Sequence, residues 1–126
     1  VLIKNARNIN NYKTIWVIDK IKSTALQFEL DYNKKPIVAL MGLAFKPNID
    51  DLRESPAALV ADTLLSDETF DLLLVEPNLE KSDKYTLTDY RKLDGKADII
   101  VYLVAHQEFK SLNYDALELD FCGISI

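Results

Sequence analysis

The stretch Ile37-Val-Ala-Leu-Met41, followed by Gly42-Leu-Ala-Phe-Lys-Pro-Asn-Ile-Asp-Asp-Leu-Arg-Glu-Ser-Pro56, decides the fold of this 126-residue chain. Its first five residues form a continuous apolar run, which is typical of a strand buried on both faces of a parallel sheet. A polar loop follows, and Ser55-Pro56 has the pattern of a helix N-cap and first helical residue. We expect a helix from there to about Leu65, with an apolar stripe formed by Ala57, Val60, Ala61 and Leu64.

Further strands and helices alternate after this stretch. Leu72–Val75 and Ile99–Val104 are two more buried apolar runs, and Leu117–Phe121 is a weaker candidate for a final strand. Thr88–Leu93 and His106–Leu112 are candidates for a short helix and a helical turn between the strands. Alternation of this kind is typical of a doubly wound sheet with right-handed crossovers. The sequence predicts a three-layer α/β fold with a mainly parallel, Rossmann-like sheet.

The residues before this sheet form a separate helical pattern. Positions 1–34 contain no Gly or Pro, and apolar residues recur at helical spacing, namely Ile15, Ile18, Ile21, Ala25 and Phe28. We expect a break at Asn10-Asn11, because Asn favours caps and turns, and an end at Lys34-Lys35-Pro36. Residues 1–34 are therefore predicted to be a helical linker that packs on more than this domain, and 35–126 to be one α/β domain.

Composition narrows the class of protein. Apolar residues make up 48% and charged residues 28%, as in an ordinary globular domain, while the net charge of −5 argues against a nucleic-acid binder. We predict no membrane helix, since no apolar run approaches about 20 residues. Lone Cys122 excludes an internal disulfide framework and fits a reducing cytoplasm. The first residue is Val1, inside a helical pattern, which suggests a fragment of a longer protein.

The loop at 42–56 carries the candidate binding residues. Gly42 would allow a sharp turn at the end of the strand. Lys46 precedes a proline, so its backbone should be extended and could direct the ammonium toward an anion, with Phe45 as an aromatic wall beside it. Arg53, before the helix, could present its guanidinium to a phosphate. The alternative is that this loop is an ordinary solvated Lys-Pro turn.

Other polar side chains allow simpler interpretations. Asp50 and Asp51 lack a third ligand and are better explained as loop caps than as a metal site. Glu76 follows a strand like the acidic ribose-binding residue of a dinucleotide site, but a G-x-G-x-x-G motif is absent. Cys122 is better explained as a small buried apolar residue than as a nucleophile. His106 could contact a ligand, although a capping role for the following turn is favoured.

The segment 42–56 resembles the signature of the C-terminal domain in the UDP-glucose/GDP-mannose dehydrogenase family. Shorter matches lie at Ala6–Asn10, Val75–Asn78, Ala97–Val101 and His106–Lys110. The combined pattern is most similar to the branch that acts on UDP-N-acetylmannosamine for surface polysaccharides. At the chain end, Asp120–Ile124 departs from the family's closing Asp-x-x-Gly segment, because Phe-Cys replaces a polar pair.

The resemblance implies the role of a larger enzyme. It implies that an N-terminal domain, absent from this chain, binds NAD and carries the catalytic cysteine, so that no catalytic residue and no metal site is expected here. Phe45 and Lys46 match the family's substrate-contacting pair, and Arg53 matches the arginine that reaches NAD. The UDP-sugar substrate, the N-terminal half of the polypeptide and a second copy in a homodimer are the implied partners. A stand-alone nucleotide-binding or regulatory module and a purely structural dimerisation domain remain alternatives.

Overall fold

A computed structural model describes residues 2–44, 55–67, 71–79, 82, 84–112 and 114–123, with side chains described from Lys13 onward. The described part contains a long helix α1, a second helix α2 and four strands, β1 to β4. Two 3-10 turns, Tyr90–Lys92 and Gln107–Phe109, separate the later strands. In chain order the regular elements are α1 (Leu2–Tyr32), β1 (Ile37–Met41), α2 (Pro56–Leu65), β2 (Asp71–Val75), β3 (Ile99–Tyr102) and β4 (Leu117–Asp120).

The four strands form one parallel sheet in the order β2-β1-β3-β4. β1 lies in the interior of the sheet, where Val38 aligns with Leu72 of β2 on one side and with Ile99 of β3 on the other. Its residues from Val38 to Met41 are fully buried. The prediction that this apolar run forms a strand buried on both faces of the sheet is therefore confirmed.

Successive residues of β1 face two different cores. Val38 and Leu40 belong to the cluster that packs against α1 and α2. Ala39 and Met41 belong to a second cluster, which is formed with the segments around the two 3-10 turns and includes Phe109. The α-helices thus cover one face of the sheet. The other face is covered by the connections that precede and follow β3, in which the predicted short helices are 3-10 turns.

The N-terminal helix differs from the sequence prediction in three respects. It is continuous from Leu2 to Tyr32, so the break expected at Asn10-Asn11 is wrong. Asn in a helix interior costs no more than about 0.7 kcal/mol relative to Ala, too little to end a long helix. Ile15 is 57% exposed, and Val17, not Ile15, lies in the core with Ile18, Ile21 and Ala25. The helix ends before Asn33, whose φ of 54° stops it two residues before Lys34-Lys35.

Helix α2 begins as the sequence predicts. Ser55 is the N-cap, its side chain accepts a hydrogen bond from the Ala58 N–H, and Pro56 is the first helical residue. The predicted inward stripe is buried as expected and consists of Ala57, Val60, Ala61 and Leu64. Since the cap and the stripe are both local features, the sequence was sufficient to place this helix.

The outer edge of β2 is partly covered by residues 84–88, which we call the edge latch. Leu87 forms a parallel bridge with Leu74 of β2, and the Thr88 N–H donates to the Leu74 carbonyl at 2.7 Å. The latch is tied to α2, because the Tyr85 hydroxyl and the Lys84 ammonium donate to the two oxygens of Asp62 at 2.7 and 3.0 Å.

The amino end of β1 is held by surface charges. The Asp98 carboxylate accepts a hydrogen bond from the Ile37 N–H at 2.9 Å and lies 3.2 Å from the Lys34 ammonium. Lys35 and Asp71 form a further ion pair, at 3.6 Å, where β2 begins.

No helix among the described residues has the length and apolar character needed to cross a membrane.

Candidate functional site

The loops that follow β1 and β3 lead to opposite faces of the sheet, and we call the carboxyl edge between these two neighbouring strands the crevice. The chain leaves β1 toward the face covered by α2, whereas it leaves β3 toward the opposite face, where Phe109 packs. The loops after these neighbouring strands therefore diverge. In open α/β sheets a divergence of this kind at the carboxyl ends of strands is where ligands bind.

Gly42 fits the loop after β1 closely against the residues after β3. Its φ is +100°, and a Cβ placed on it would lie 2.6 Å from the Cβ of Val104. The Gly42 N–H donates to the Val75 carbonyl at 2.8 Å, which ties the turn to the end of β2. The sharp turn expected at Gly42 is confirmed, and the close approach to Val104 supplies a second reason for glycine there.

Glu76, the first residue after β2, holds the loop that follows β1. Its Oε1 accepts hydrogen bonds from the N–H groups of Leu43 at 2.9 Å and Ala44 at 3.0 Å. Its Oε2 accepts one from the Asn78 N–H at 3.0 Å. Glu76 is only 3% exposed, so these donors take the place of water around a buried carboxylate.

His106 completes this network from the end of β3. Its Nε2 lies 2.8 Å from Oε1 of Glu76, and its Nδ1 lies 3.0 Å from the side-chain amide nitrogen of Asn78. An amide nitrogen donates, so Nδ1 accepts and Nε2 carries the hydrogen that is donated to Glu76. The ring is fully buried and packs edge-on against Phe109. We call Glu76, Asn78 and His106 the carboxyl-edge clamp.

The clamp keeps Glu76 ionised. Burial alone would raise the pKa of its carboxyl group. The hydrogen bonds from His106 and from the N–H groups of Asn78 and Leu43 outweigh that effect and hold the pKa of Glu76 below its ordinary value of 4.5. Glu76 therefore carries a buried negative charge near neutral pH.

Ser55 fixes the far end of the candidate binding loop. Its hydroxyl donates to the Leu43 carbonyl at 2.7 Å and accepts from the Ala58 N–H at 3.2 Å. Ser55 is thus tied to Leu43, the neighbour of Ala44, so the two residues that flank the segment 45–54 lie close together. The start and the end of that segment are held at the crevice.

The predicted site residues divide into two groups. Phe45, Lys46 and Arg53, with Asp50 and Asp51, lie outside the described residues, so their predicted roles stay predictions. For His106 the favoured capping role is wrong. It occupies the N-cap position of the second 3-10 turn but makes no side-chain capping hydrogen bond; its ring nitrogens face Glu76 and Asn78.

Two other candidates are described. Cys122 is half-buried against the second core cluster, and its Sγ lies 3.7 Å from an oxygen of Asp120. The interpretation of Cys122 as a small buried apolar residue holds only in part, because it packs on this cluster but is half-buried. No group of three His, Cys, Asp or Glu side chains suited to a metal ion occurs in the part of the chain that the structure describes.

Sequence reasoning missed the clamp itself. Glu76 and His106 are 30 residues apart in the chain, and each was considered alone. The usable signal was their position, since each follows a buried strand of the same predicted parallel sheet. The carboxyl ends of such strands meet at one edge, so polar residues there become neighbours.

The clamp also determines how this crevice can bind an anion. In dinucleotide-binding folds, backbone N–H groups after the first strand are directed at a phosphate. Here the N–H groups of Leu43 and Ala44 are directed at Glu76 instead. These two N–H groups are therefore not available to a phosphate, and the adjoining segment 45–54 contains the cationic residues Lys46 and Arg53.

Comparison with known proteins gives a consistent result. The sequence profile described as "UDP-glucose/GDP-mannose dehydrogenase family, UDP binding domain" matches residues 39–120. The chain is 39% identical over 122 residues to the UDP-N-acetyl-D-mannosamine dehydrogenase of Escherichia coli (strain K12), covering 90% of this chain and 29% of that protein. It is 38% identical over 121 residues to the NDP-N-acetyl-D-galactosaminuronic acid dehydrogenase of Ralstonia solanacearum, covering 93% of this chain and 27% of that protein. The chain thus spans under a third of the length of these relatives.

Solved structures share the fold. The UDP-N-acetyl-mannosamine dehydrogenase of S. aureus superimposes with a TM-score of 0.77 at 23% identity, over 98% of this chain and 33% of that one. The UDP-D-ManNAc dehydrogenase of Pyrococcus horikoshii gives a TM-score of 0.72 at 26% identity, over 98% of this chain and 30% of that one. The predicted α/β class is confirmed by these superpositions.

Proposed function

The chain belongs to the UDP-glucose/GDP-mannose dehydrogenase family, and from this we propose that it is the C-terminal UDP-binding domain of a UDP-sugar 6-dehydrogenase. The whole enzyme would oxidise UDP-N-acetyl-D-mannosamine to UDP-N-acetyl-D-mannosaminuronate, with NAD, for surface polysaccharide biosynthesis. The choice of sugar is supported by the Escherichia coli relative, which is a UDP-N-acetyl-D-mannosamine dehydrogenase. The Ralstonia relative is named for a different sugar, N-acetyl-D-galactosaminuronic acid. The identity of the sugar is therefore part of the proposal.

One observation carries the binding role. The segment 45–54 begins and ends at the crevice between β1 and β3, because Ala44 is bound to Glu76 and Ser55 is bound to Leu43. We propose that Phe45 and Lys46 contact the UDP-sugar, with the Lys46 ammonium on the pyrophosphate. Since the nearby backbone donors are directed at Glu76, a lysine is a suitable source of positive charge for that anion.

The cofactor is proposed to be held mainly by another part of the polypeptide. The three glycines of the chain form no G-x-G-x-x-G motif, so its own residues do not fit a dinucleotide phosphate site. NAD supplies hydride acceptance in this chemistry, and the proposed contribution of this chain is Arg53, directed at the bound cofactor. The catalytic cysteine is likewise proposed to lie in the N-terminal half of the polypeptide, outside this chain.

A homodimer is proposed from the outer face of α1. Four large apolar residues on the side of this helix that faces away from the core are about half exposed or more, namely Ile15, Trp16, Leu26 and Leu30. Exposed apolar surface of this extent is typical of an interface. We propose that a second copy of the polypeptide and its N-terminal half cover this face.

The test of the binding role is the affinity of the full-length protein for UDP. Lys46→Ala should weaken UDP binding about ten- to a hundredfold, which corresponds to about 1.5–3 kcal/mol for a charge-assisted contact. The melting temperature should change little. Lys96→Ala is the matched control, because Lys96 is exposed in the turn before β3, at the other end of the strands. UDP binding by Lys46→Ala as tight as that of the unsubstituted protein would refute the pyrophosphate role.

Steady-state kinetics of the full-length enzyme separate the role of Arg53 from that of Lys46. Arg53→Lys should raise the apparent KM for NAD more than the KM for the sugar, because lysine cannot reproduce a bidentate guanidinium contact. A defect confined to the sugar would reverse the two assignments.

A further inference from the structure

The clamp joins the carboxyl ends of three neighbouring strands. Glu76 follows β2, the residues it holds follow β1, and His106 follows β3. The contacts form a closed circuit, because Asn78 donates its backbone N–H to Glu76 and its side-chain amide to His106. Every polar side-chain atom that is buried in the described part of the chain has a hydrogen-bond partner. The hydrogen bonds of the clamp are therefore all satisfied without a ligand.

We infer that Glu76, His106 and Asn78 are positioning residues for the nucleotide. They hold the backbone at Leu43 and Ala44 in the arrangement from which Phe45 and Lys46 reach the UDP moiety, and this inference rests on the function proposed above. None of the three touches the reacting atoms. Their effect passes through the two backbone hydrogen bonds to Oε1 of Glu76, the second of which lies one residue before Phe45.

The geometry makes a carboxylate at position 76 hard to replace. Oε1 accepts three hydrogen bonds, from Leu43, Ala44 and His106, and Oε2 accepts one from Asn78. An amide of the same shape would direct its NH₂ group at one of these donors, so that a buried N–H would lose its acceptor. The loop would then shift to recover a partner.

His106 and Asn78 offer substitutions that perturb the clamp less. Asn78 is half-buried, and Asn78→Ala removes only its side-chain contact with His106, while the backbone N–H to Glu76 remains. His106→Gln retains a side-chain N–H that can donate to Glu76, whereas His106→Leu retains none. A positioning role predicts a graded series, in which the glutamine variant recovers part of what the leucine variant loses.

Asp98→Asn provides the matched control. Asp98 also accepts a backbone N–H of β1, but at the amino end of the strand. Its substitution disturbs the same strand while leaving the crevice unchanged. A variant that acts only through the stability of the sheet should therefore behave like Asp98→Asn.

The experiment measures UDP binding by calorimetry in the full-length protein, well below its melting temperature, together with amide hydrogen exchange. His106→Leu should weaken UDP binding on the order of ten- to a hundredfold, as expected for misplaced contact groups. Asn78→Ala keeps every hydrogen bond to Glu76 and should weaken UDP binding less. Exchange at the Leu43 and Ala44 amides should become faster. His106→Gln should show a smaller loss, and Asp98→Asn should bind UDP as the unsubstituted protein does.

Two outcomes would overturn the inference. One is unchanged UDP affinity in Asn78→Ala and His106→Leu, and the other is an equal loss in Asp98→Asn. If the unsubstituted protein fails to bind UDP, the proposed function fails by itself, and hydrogen exchange then decides the inference about the loop. Faster exchange at Leu43 and Ala44 in the clamp variants alone supports it, and unchanged exchange refutes it.

Discussion

The two ends of β1 are held by the same kind of contact in different surroundings. At the carboxyl end Glu76 accepts the N–H groups of Leu43 and Ala44, and its side chain has no exposed surface. At the amino end Asp98 accepts the Ile37 N–H, is 20% exposed and faces the exposed Lys34 ammonium. Water can replace the partners of Asp98 but not those of Glu76. Burial, and not the kind of contact, therefore decides which end depends on its carboxylate.

The largest expected effect comes from removing the two carboxylates in turn. Glu76→Ala should lower the free energy of unfolding by about 3–5 kcal/mol, because it leaves several buried donors without an acceptor. Asp98→Ala should cost about 1 kcal/mol, since solvent can reach Ile37 and Lys34. Denaturant unfolding of the protein measures both values. Equal losses would mean that burial does not distinguish the two ends.

A smaller loss of stability is expected from substituting Gly42, which follows β1, or Gly95, which precedes β3. Gly42→Ala should destabilise by about 2–3 kcal/mol, because the backbone has a positive φ and the new methyl group would overlap Val104. Gly95, in the turn before β3, also has a positive φ of +78° but has nothing within 4 Å of an added Cβ. Gly95→Ala should therefore cost only about 1 kcal/mol.

A double variant separates the two causes at Gly42. Val104→Gly removes the Cβ that the new methyl group would overlap. If that overlap contributes, the loss in the double variant Gly42→Ala, Val104→Gly should be smaller than the sum of the losses in the two single variants. Additive losses would assign the effect of Gly42→Ala to backbone conformation.

The smallest expected effect is the pH dependence of the free energy of unfolding that the ionisation of Glu76 causes. The pKa of Glu76 is lowered in the folded chain from its ordinary value of 4.5, so its ionised form stabilises the fold. That contribution is fully present above pH 4.5 and is lost as the pH falls through the lower, folded pKa. The difference in unfolding free energy between the protein and Glu76→Gln should be constant near neutral pH. It should shrink as the pH falls below about 4.5, and a difference that grows on acidification would contradict the sign.

The sheet and α2 were predictable because their signals are local. β1, β2 and β3 are largely apolar runs, and Ser55-Pro56 with an apolar stripe indicates α2. The break at Asn10-Asn11 was wrong, because the helix propensity of Asn is too weak an effect to end a long helix. Ile15 belongs to the apolar pattern but is exposed, because periodicity alone does not fix which side of a long helix meets the sheet. The covering of the second face by 3-10 turns was visible only as weak helical signals.

The loop after β1 could be identified from its sequence, but the contacts that hold its two ends could not. The described residues place both ends of this loop at the crevice. The partners of Glu76 could not be read from local sequence, because a buried carboxylate and a buried imidazole become compatible only when the sheet brings them together. His106 in isolation resembles an ordinary cap, and only the fold turns it into a donor for Glu76.

The edge latch has a consequence for the behaviour of the protein in concentrated solution. The outer strands of an open sheet can recruit strands from other molecules and start aggregation. On the β2 side, residue Leu87 already occupies part of that position, and Asp62 secures the latch to α2. On the other side, β4 is four residues long and carries the charges of Glu118 and Asp120, which repel a like strand. Both edge strands are therefore protected against pairing with strands of other molecules, β2 by the edge latch and β4 by its negative charges.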